Sequence, residues 1–312
     1  MNRPRLRSFV EAVFSCAPHG QYGYLEHSTE HASRVAHYQR QLVSQLELHQ
    51  SDSRDIPSDF FGTDNKQVLE ASCWLHDVGN FIGRQVHQWH TYTLLSANIP
   101  QLVSWRRDVL ERPVGLSRPQ LEEVAVVCLA HRKPRSAADL LRAYFVDLKT
   151  GATGKSSADE HPRWIDYDMG RRLTDPRLRL DAALLMLADT LDRTRAPCNL
   201  DSLLAYYWPV YPESHAFSPG HWEQHRLIGR PHIGYDSNCA DYDPPAPAIT
   251  IDMRVAGPTG QIPIVVSEVK DDCRYVMPFL FDEHGVRLTV RFHYLTGDSE
   301  RFRYDDIGRF RD

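Results

Sequence analysis

The chain has 312 residues, of which 42% are hydrophobic and 25% are charged, and its formal net charge at pH 7 is −5. This balance is typical of a folded globular protein and argues against long duplex nucleic acid as a partner, because negative charge repels phosphates. No apolar run approaches the roughly 20 residues of a membrane helix, and the N-terminus does not resemble a signal peptide. We therefore expect a cytoplasmic protein without a membrane partner, with its six scattered cysteines reduced.

Helical periodicity extends from about residue 5 to residue 195. A helix is predicted to begin at Thr29 with Ser28 as its cap, and its buried face would carry His31. Further helices are predicted over residues 66–78, 89–97, 118–132 and 178–193. Residues 149–157 are rich in glycine and serine and predict a mobile loop, although they lack the remaining pattern of a phosphate-binding loop.

The composition changes after Pro197, where aromatic residues, prolines and glycines become more frequent. Residues 248–255 and 286–292 alternate between apolar and polar side chains, as half-buried strands do, and residues 262–266 are a weaker third strand candidate. The sequence therefore predicts a mainly α protein. A helical domain of residues 1–198 would precede a small α+β domain of residues 199–312 with an antiparallel sheet.

Six polar residues interrupt the apolar pattern of the predicted helices: His31, His76, Asp77, His90, His131 and Asp189. An ionised carboxylate such as Asp189 costs several kcal/mol to bury unless a partner compensates its charge. A cation held by imidazole and carboxylate groups would supply that partner. This donor set suits Mn, Fe, Co, Ni or Zn better than Mg, so we expect one or two divalent transition-metal ions.

Other interpretations of these residues stay open. His27 lies one turn before His31 and competes with it as a ligand, and Asp192 competes with Asp189 but could instead pair with Arg195 on an exposed face. His90 and His131 could orient ligands or substrate rather than bind metal. Four histidines of the tail are a weak signal for a second metal, and we favour structural roles for them: His215, His221, His225 and His232.

The order His31, His76-Asp77, Asp189 resembles that of the HD superfamily of metal-dependent phosphohydrolases. The strings at residues 29–36 and 187–195 resemble the family's first and last ligand helices. Residues 87–95 and 130–133 are similar to the helical domain of exopolyphosphatases and guanosine pentaphosphate phosphohydrolases, over residues 25–200 in all. The actin-like domains of those proteins have no counterpart in this sequence, so any activity is expected in the HD site.

The resemblance implies a helical bundle in which His31, His76, Asp77 and Asp189 bind a catalytic metal. His90 and His131 would complete a two-metal version, with Asp77 as the bridging carboxylate. The branch that hydrolyses cyclic di-GMP is disfavoured, because its lysine after the His-Asp pair and its Gly-Tyr-Pro motif are missing.

The expected substrate is a phosphorylated small molecule, most naturally a nucleotide or nucleotide-derived signal. Arg34, Arg132 and Lys133 are candidates for binding its phosphate, since cationic side chains near the ligands would balance the charge. His87 is a candidate proton donor to the leaving group. Two alternatives are a regulatory module that holds metal or nucleotide without turnover, and a redox-active di-iron centre; assembly into homo-oligomers stays open.

Overall fold

The structure of this protein is a computed structural model. It covers residues 1–15, 29–50, 56–57, 59–82, 87–131, 144–146, 153–155, 175–192, 224, 227–257, 263–304 and 309–311. The chain divides into two compact units. The first comprises Met1–Ala17, His27–Ala36 and Pro57–Met186, and the second Pro18–Glu26, His37–Ile56 and Leu187–Asp312. The domain boundary predicted after residue 198 lies outside the described residues and stays a prediction.

The first unit is mainly helical, and its helices are α1 (Arg3–Ser15), the first part of α2 (Thr29–Gln50), α3 (Thr63–Leu75), α4 (His87–Ser96), α5 (Pro100–Arg106), α6 (Arg112–Val114), α7 (Arg118–Ala130) and most of α8 (Pro176–Leu191). A 3₁₀ turn, Val78–Phe81, follows α3, and a π-helical turn, Arg107–Glu111, joins α5 to α6. The helices predicted over 66–78, 89–97, 118–132 and 178–193 are confirmed, with slightly shifted ends.

Helix α7 shows why the sequence specifies a helix at this point. The Ser117 hydroxyl accepts a hydrogen bond from the backbone N–H of Gln120, and the Gln120 side chain accepts one from the backbone N–H of Ser117. This reciprocal capping box satisfies backbone donors that the first turn leaves without helical partners. The apolar side chains of the helix, from Leu121 to Ala130, are buried.

A polar network joins three helices of this unit. Arg177 on α8 donates to Glu123 on α7 at 2.8 Å and to the side-chain oxygen of Asn65 on α3 at 2.6 Å. Asn65 in turn donates to Asp181 on α8 at 3.1 Å. Burial raises the pKa of the Asp181 carboxyl well above its usual range. The network fixes the packing of α3, α7 and α8 around a carboxyl group that favours its protonated form.

A short hairpin also belongs to the first unit. Strands β1 (Tyr144–Val146) and β2 (Thr153–Lys155) pair antiparallel, with Phe145 opposite Gly154. The prediction of a loop over residues 149–157 is therefore wrong for Thr153–Lys155, because backbone pairing with β1 makes these three residues a strand.

The second unit contains a five-stranded sheet of order β3-β4-β5-β6-β7. Its strands are β3 (His232–Cys239), β4 (Ala246–Val255), β5 (Leu288–Tyr294), β6 (Ser299–Tyr304) and β7 (Phe310–Arg311). The strand predicted over 248–255 is confirmed within β4, and the strand predicted over 286–292 is confirmed from Leu288 onward as part of β5. The described chain is thus mainly α, with a small sheet near its C-terminal end.

The sheet is mixed, and the prediction of an antiparallel sheet is wrong for one strand pair. Strands β4 and β5 run parallel, with Ile251 opposite Val290, whereas the other neighbours are antiparallel. Parallel neighbours need a long crossover connection, and helix α9 (Pro263–His284) supplies it. The strand predicted over residues 262–266 is accordingly wrong from Pro263 onward, because this β-branched segment is the first turn of α9.

No helix among the described residues is both long and apolar enough to cross a membrane. Four of the six cysteines fall within the described part of the chain, where each is buried as a free thiol: Cys73, Cys128, Cys239 and Cys273. The expectation of reduced cysteines therefore holds for these four.

Candidate metal centre

Five buried side chains of the first unit converge on one point, and four elements supply them. His31 lies near the start of α2, His76 and Asp77 directly follow α3, His87 begins α4, and His131 directly follows α7. Their exposed fractions range from 0% for His76 to 6% for His31. A cluster of titratable groups this deeply buried is costly unless its members satisfy one another or share a ligand.

Asp77 lies at the middle of the cluster because the helix ends just before it. Its backbone (φ −102°, ψ 0°) leaves the α-helical geometry and leads into the 3₁₀ turn. One carboxylate oxygen, Oδ2, lies 3.4 Å from the Nε2 atoms of both His31 and His76. The other, Oδ1, lies 3.0 Å from Nε2 of His87. The two oxygens of one carboxylate therefore face two different sets of imidazoles.

The imidazoles also approach each other in pairs. The Nε2 atoms of His31 and His76 are 3.2 Å apart, and those of His87 and His131 are 3.4 Å apart. The ligand atoms of His31, His76 and Asp77 all lie within 4.8 Å of one another, and so do those of Asp77, His87 and His131. Each set has the spacing of a cation site, and Asp77 belongs to both.

Hydrogen bonds from the Nδ1 atoms, which face away from the cluster, fix the orientation of two of these histidines. Nδ1 of His76 lies 2.9 Å from the carbonyl oxygen of Cys73, and Nδ1 of His131 contacts the carbonyl oxygen of Cys128. A carbonyl oxygen only accepts hydrogen bonds, so each Nδ1 carries the proton. When such a ring is neutral, its Nε2 atom presents a lone pair to the cluster, which is the state required for binding a metal.

The ends of two helices add to the electrostatic preference for cations. His76 and His131 occupy the C-cap positions of α3 and α7. The C-terminus of a helix carries a partial negative charge of about half an electron. Two helix C-termini and one carboxylate therefore surround the imidazole nitrogens, and these His and Asp groups could hold a metal ion. Imidazole with carboxylate suits a transition metal.

Gly79 lets α4 approach the His-Asp turn. A side-chain carbon on Gly79 would lie 2.1 Å from the carbonyl oxygen of His87 and 2.6 Å from the backbone nitrogen of Thr91. The Thr91 hydroxyl accepts from the backbone N–H of Gly79 at 2.9 Å and donates to the carbonyl oxygen of His76 at 3.0 Å. This contact brings His87 within reach of Asp77, and it explains why residue 79, two positions after Asp77, is a glycine.

The structure groups His87, rather than His90, with Asp77. Both lie on α4, but His87 is buried in the cluster, whereas His90 is half-buried and belongs to none of the groups found among the described residues. The pKa of His90 is lowered by burial and by the charge of His87. One helical turn separates the two side chains, and periodicity alone does not distinguish which of them reaches the cluster. The sequence predicts His87 as a proton donor and does not indicate it as a ligand.

The remaining predicted residues have different positions. Arg34 lies one turn after His31 on α2 and is half-buried. Asp189 is half-buried on α8 and belongs to the second compact unit, because the first unit ends at Met186 on this helix. Its role as a ligand stays a prediction. Asp192 is buried, which corrects the expectation that it lies on an exposed face. Four predicted site or rival residues lie outside the described part of the chain: His27, Arg132, Lys133 and Arg195.

Cys128 lies near the cluster as a protonated thiol. Its Sγ donates weakly to the carbonyl oxygen of Ser72 at 3.6 Å. Burial, and then the charge of Asp77, raise the pKa of this thiol far above its usual range. A metal ligand must be a thiolate, so Cys128 packs beside the centre without joining the donor set.

No family profile matches the sequence, and no curated protein matches it.

Proposed function

We propose that this protein is a metal-dependent phosphohydrolase of the HD type, which cleaves a phosphoester or phosphoanhydride bond. The observation that carries the proposal is the position of Asp77, whose two carboxylate oxygens lie 3.0 to 3.4 Å from the Nε2 atoms of three buried imidazoles, His31, His76 and His87. A fourth, His131, lies 3.4 Å from His87. The order of the ligand residues along the chain, which resembles that of the HD superfamily, supports the same reaction class.

The donors divide into two sets that would each hold one divalent ion. His31 and His76 would bind the first and His87 and His131 the second, with Asp77 shared between them. Bound divalent ions lower the pKa of water toward neutrality and polarise a phosphoryl oxygen. Asp189 would join the first set, as the family order implies. Mn, Fe, Co, Ni and Zn fit these donors better than Mg does.

The protein's own residues would orient the substrate and balance its charge. Arg34, one turn from His31 on α2, has the planar guanidinium that matches two phosphate oxygens at once. Arg132 and Lys133 directly follow His131 in the sequence and are proposed to contribute further positive charge. A phosphorylated small molecule, such as a nucleotide, is therefore the expected substrate, in preference to long duplex nucleic acid.

The test combines metal analysis with an activity screen on the purified full chain. Bound metal is measured by inductively coupled plasma mass spectrometry, and hydrolysis is followed with nucleotides and bis(p-nitrophenyl) phosphate in added Mn²⁺. Asp77→Asn keeps the size of the side chain but removes the charge, so metal content and turnover should both fall at least tenfold. Asp108→Asn is the matched control, since the ion pairs that Asp108 forms within the described residues, with Arg107 and Arg112, are exposed.

The outcomes separate hydrolysis from its main alternative. Turnover that is lost in the Asp77 variant and retained in the Asp108 variant supports the phosphohydrolase. Metal binding without turnover on any phosphoester would instead identify a regulatory module that holds a metal. Wild-type protein without bound metal, even after incubation with Mn²⁺ or Zn²⁺, would refute both.

A further inference from the structure

The sheet of the second unit has one apolar face and one polar face. Along β4, β5 and β6, buried residues such as Ile251, Val290 and Phe302 alternate with polar ones. In the register of the sheet, Asp252 lies opposite Arg291, and Arg291 lies opposite Arg301. The period of two places these polar side chains together on the face opposite the buried residues.

Most charges of the polar face neutralise each other. Asp241 accepts from Arg291 at 2.7 Å and from Arg301 at 3.2 Å. The arginines lower the pKa of the Asp241 carboxyl, against the opposing effect of burial. Asp252 lies 2.7 Å from Nε2 of His293 and 3.7 Å from Arg291. These two carboxylates are therefore already occupied by groups of the face itself.

Two arginines beside these pairs are not neutralised. Arg230 and Arg254 are exposed, and neither forms an ion pair or a side-chain hydrogen bond with any residue in the described part of the chain. The backbone segment that carries Arg230 is fixed beside β4, because the N–H of Gly229 donates to the carbonyl oxygen of Arg254 at 2.8 Å and Ile228 forms a bridge with Val255. Among the described residues, two guanidinium groups without an ion-pair partner are thus carried by neighbouring backbone segments.

The two arginines line a cavity of about 630 Å³. Its walls are formed by Gly229, Arg230, His232, Asp252, Arg254 and His293. With Asp252 held by His293, the unpaired charge at the cavity is positive. Hydrogen-bond donors predominate on its walls, because the guanidinium groups only donate hydrogen bonds and His232 can donate one through either ring nitrogen.

We propose that this cavity binds the phosphate group of a small molecule, separately from the metal centre of the first unit. Guanidinium groups bind phosphate in bidentate fashion, and two of them lining one cavity offer donors for several phosphate oxygens. A cavity of this volume is within the size range of small-molecule pockets, so the occupant is a phosphorylated molecule larger than a single phosphate ion. A metal ion fits less well, since His232, Asp252 and His293 do not form a group with metal-ligand spacing among the described residues.

The test is calorimetric titration of the full chain with inorganic pyrophosphate in the presence of a chelator, which prevents binding through the metal centre. Arg230→Gln and Arg254→Gln each remove a charge-assisted hydrogen-bond donor, so each should weaken binding about tenfold or more. Both side chains are exposed and unpaired, and the thermal unfolding temperature should therefore not change. Arg274→Gln on α9 is the matched control, because it removes the same charge from a side chain that pairs with Asp271.

Weaker binding in both cavity variants, with wild-type affinity in the control, supports the site. No binding of pyrophosphate by the wild type, or equal losses in all three variants, overturns it. Hydrolytic activity is measured separately in added Mn²⁺ without chelator, so that failure of one proposal leaves the other testable.

Discussion

His76 and His131 occupy equivalent positions on two different helices. Each is the C-cap residue of its helix, each bonds through Nδ1 to the carbonyl oxygen three residues earlier, and their ring centroids lie 5.1 Å apart at an angle of 78°. The repetition matters because the end of a helix exposes carbonyl groups that lack helical partners. The carbonyl groups of Cys73 and Cys128 hold the two rings so that their Nε2 atoms face the cluster around Asp77.

This geometry predicts the tautomers of both rings. In metal-free protein at neutral pH, we expect His76 and His131 to be protonated at Nδ1, because a carbonyl accepts that proton. Long-range ¹H–¹⁵N NMR spectra of histidine-labelled protein would identify the tautomer, and Zn²⁺ should change the Nε2 shifts selectively. His293, exposed in the second unit, is the internal control. Protonation at Nε2 in both rings would contradict the proposed ligand arrangement.

Replacement of Gly79 tests the close contact between the His-Asp turn and α4. Gly79→Ala places a carbon 2.1 Å from the carbonyl oxygen of His87, so α4 must move. We expect a loss of unfolding free energy on the order of 3 kcal/mol in urea titrations, together with weaker metal binding. Gly115→Ala is the control, since its added carbon meets nothing within 4 Å and only its positive φ of 77° is unfavourable. It should cost about 1 kcal/mol without changing metal affinity.

The choice between His87 and His90 can be tested on one helix. His87→Gln should lower the amount of bound metal, because Nε2 of His87 lies 3.0 Å from Asp77. His90→Gln should leave the metal content unchanged, since this half-buried ring lies outside the described donor groups. Metal-to-protein ratios after equilibrium dialysis with Zn²⁺ are the measurement. The reverse pattern would favour the assignment expected from the sequence.

The buried carboxyl of Asp181 predicts a pH effect on stability. Its pKa is raised by burial above the ordinary value of 3.8. Above pH 3.8 the unfolded chain therefore loses this proton first, while the folded protein keeps it, and the free energy of unfolding falls as pH rises. The slope is at most about 1.4 kcal/mol per pH unit.

Asp181→Asn should remove this contribution, because the amide does not titrate. Urea unfolding at several pH values above 4 would then show a flatter profile for the variant than for the wild type. Asp64→Asn, at an exposed position in the first turn of α3, is the control and should preserve the wild-type slope. Parallel profiles for wild type and Asp181→Asn would show that this carboxyl is ionised in the folded protein.

Much of the fold could be predicted from the sequence because its signals are local. The Ser117 cap and the apolar residues after it define α7, and strict alternation defines β4 and β5. The parallel pairing of β4 with β5 could not be predicted, because strand direction depends on the connection between them. That connection begins with Pro263 and several β-branched residues, a composition that favours a strand locally and becomes helical in the context of α9.

The candidate site, like the fold, could be predicted in part from the sequence. His76 and Asp77 were identified because polar residues next to each other in an apolar helix need a common partner, and both lie in the cluster with His31 and His131. His87 was not assigned as a ligand, because its position depends on how closely α4 approaches the turn at Gly79. That approach is a tertiary contact, and no spacing along the sequence encodes it.

The shared carboxylate of Asp77 has a consequence for how two ions would load. Its oxygens face two sets of imidazoles, so a cation in one set polarises and orients the group that the other set needs. Occupancy of the two positions is then thermodynamically linked, and the linkage is reciprocal: whatever the first ion does to the affinity for the second, the second does to the first. Stepwise loading would therefore deviate from two independent binding curves, and the sign of that deviation would tell whether preorganisation of Asp77 outweighs repulsion between the charges.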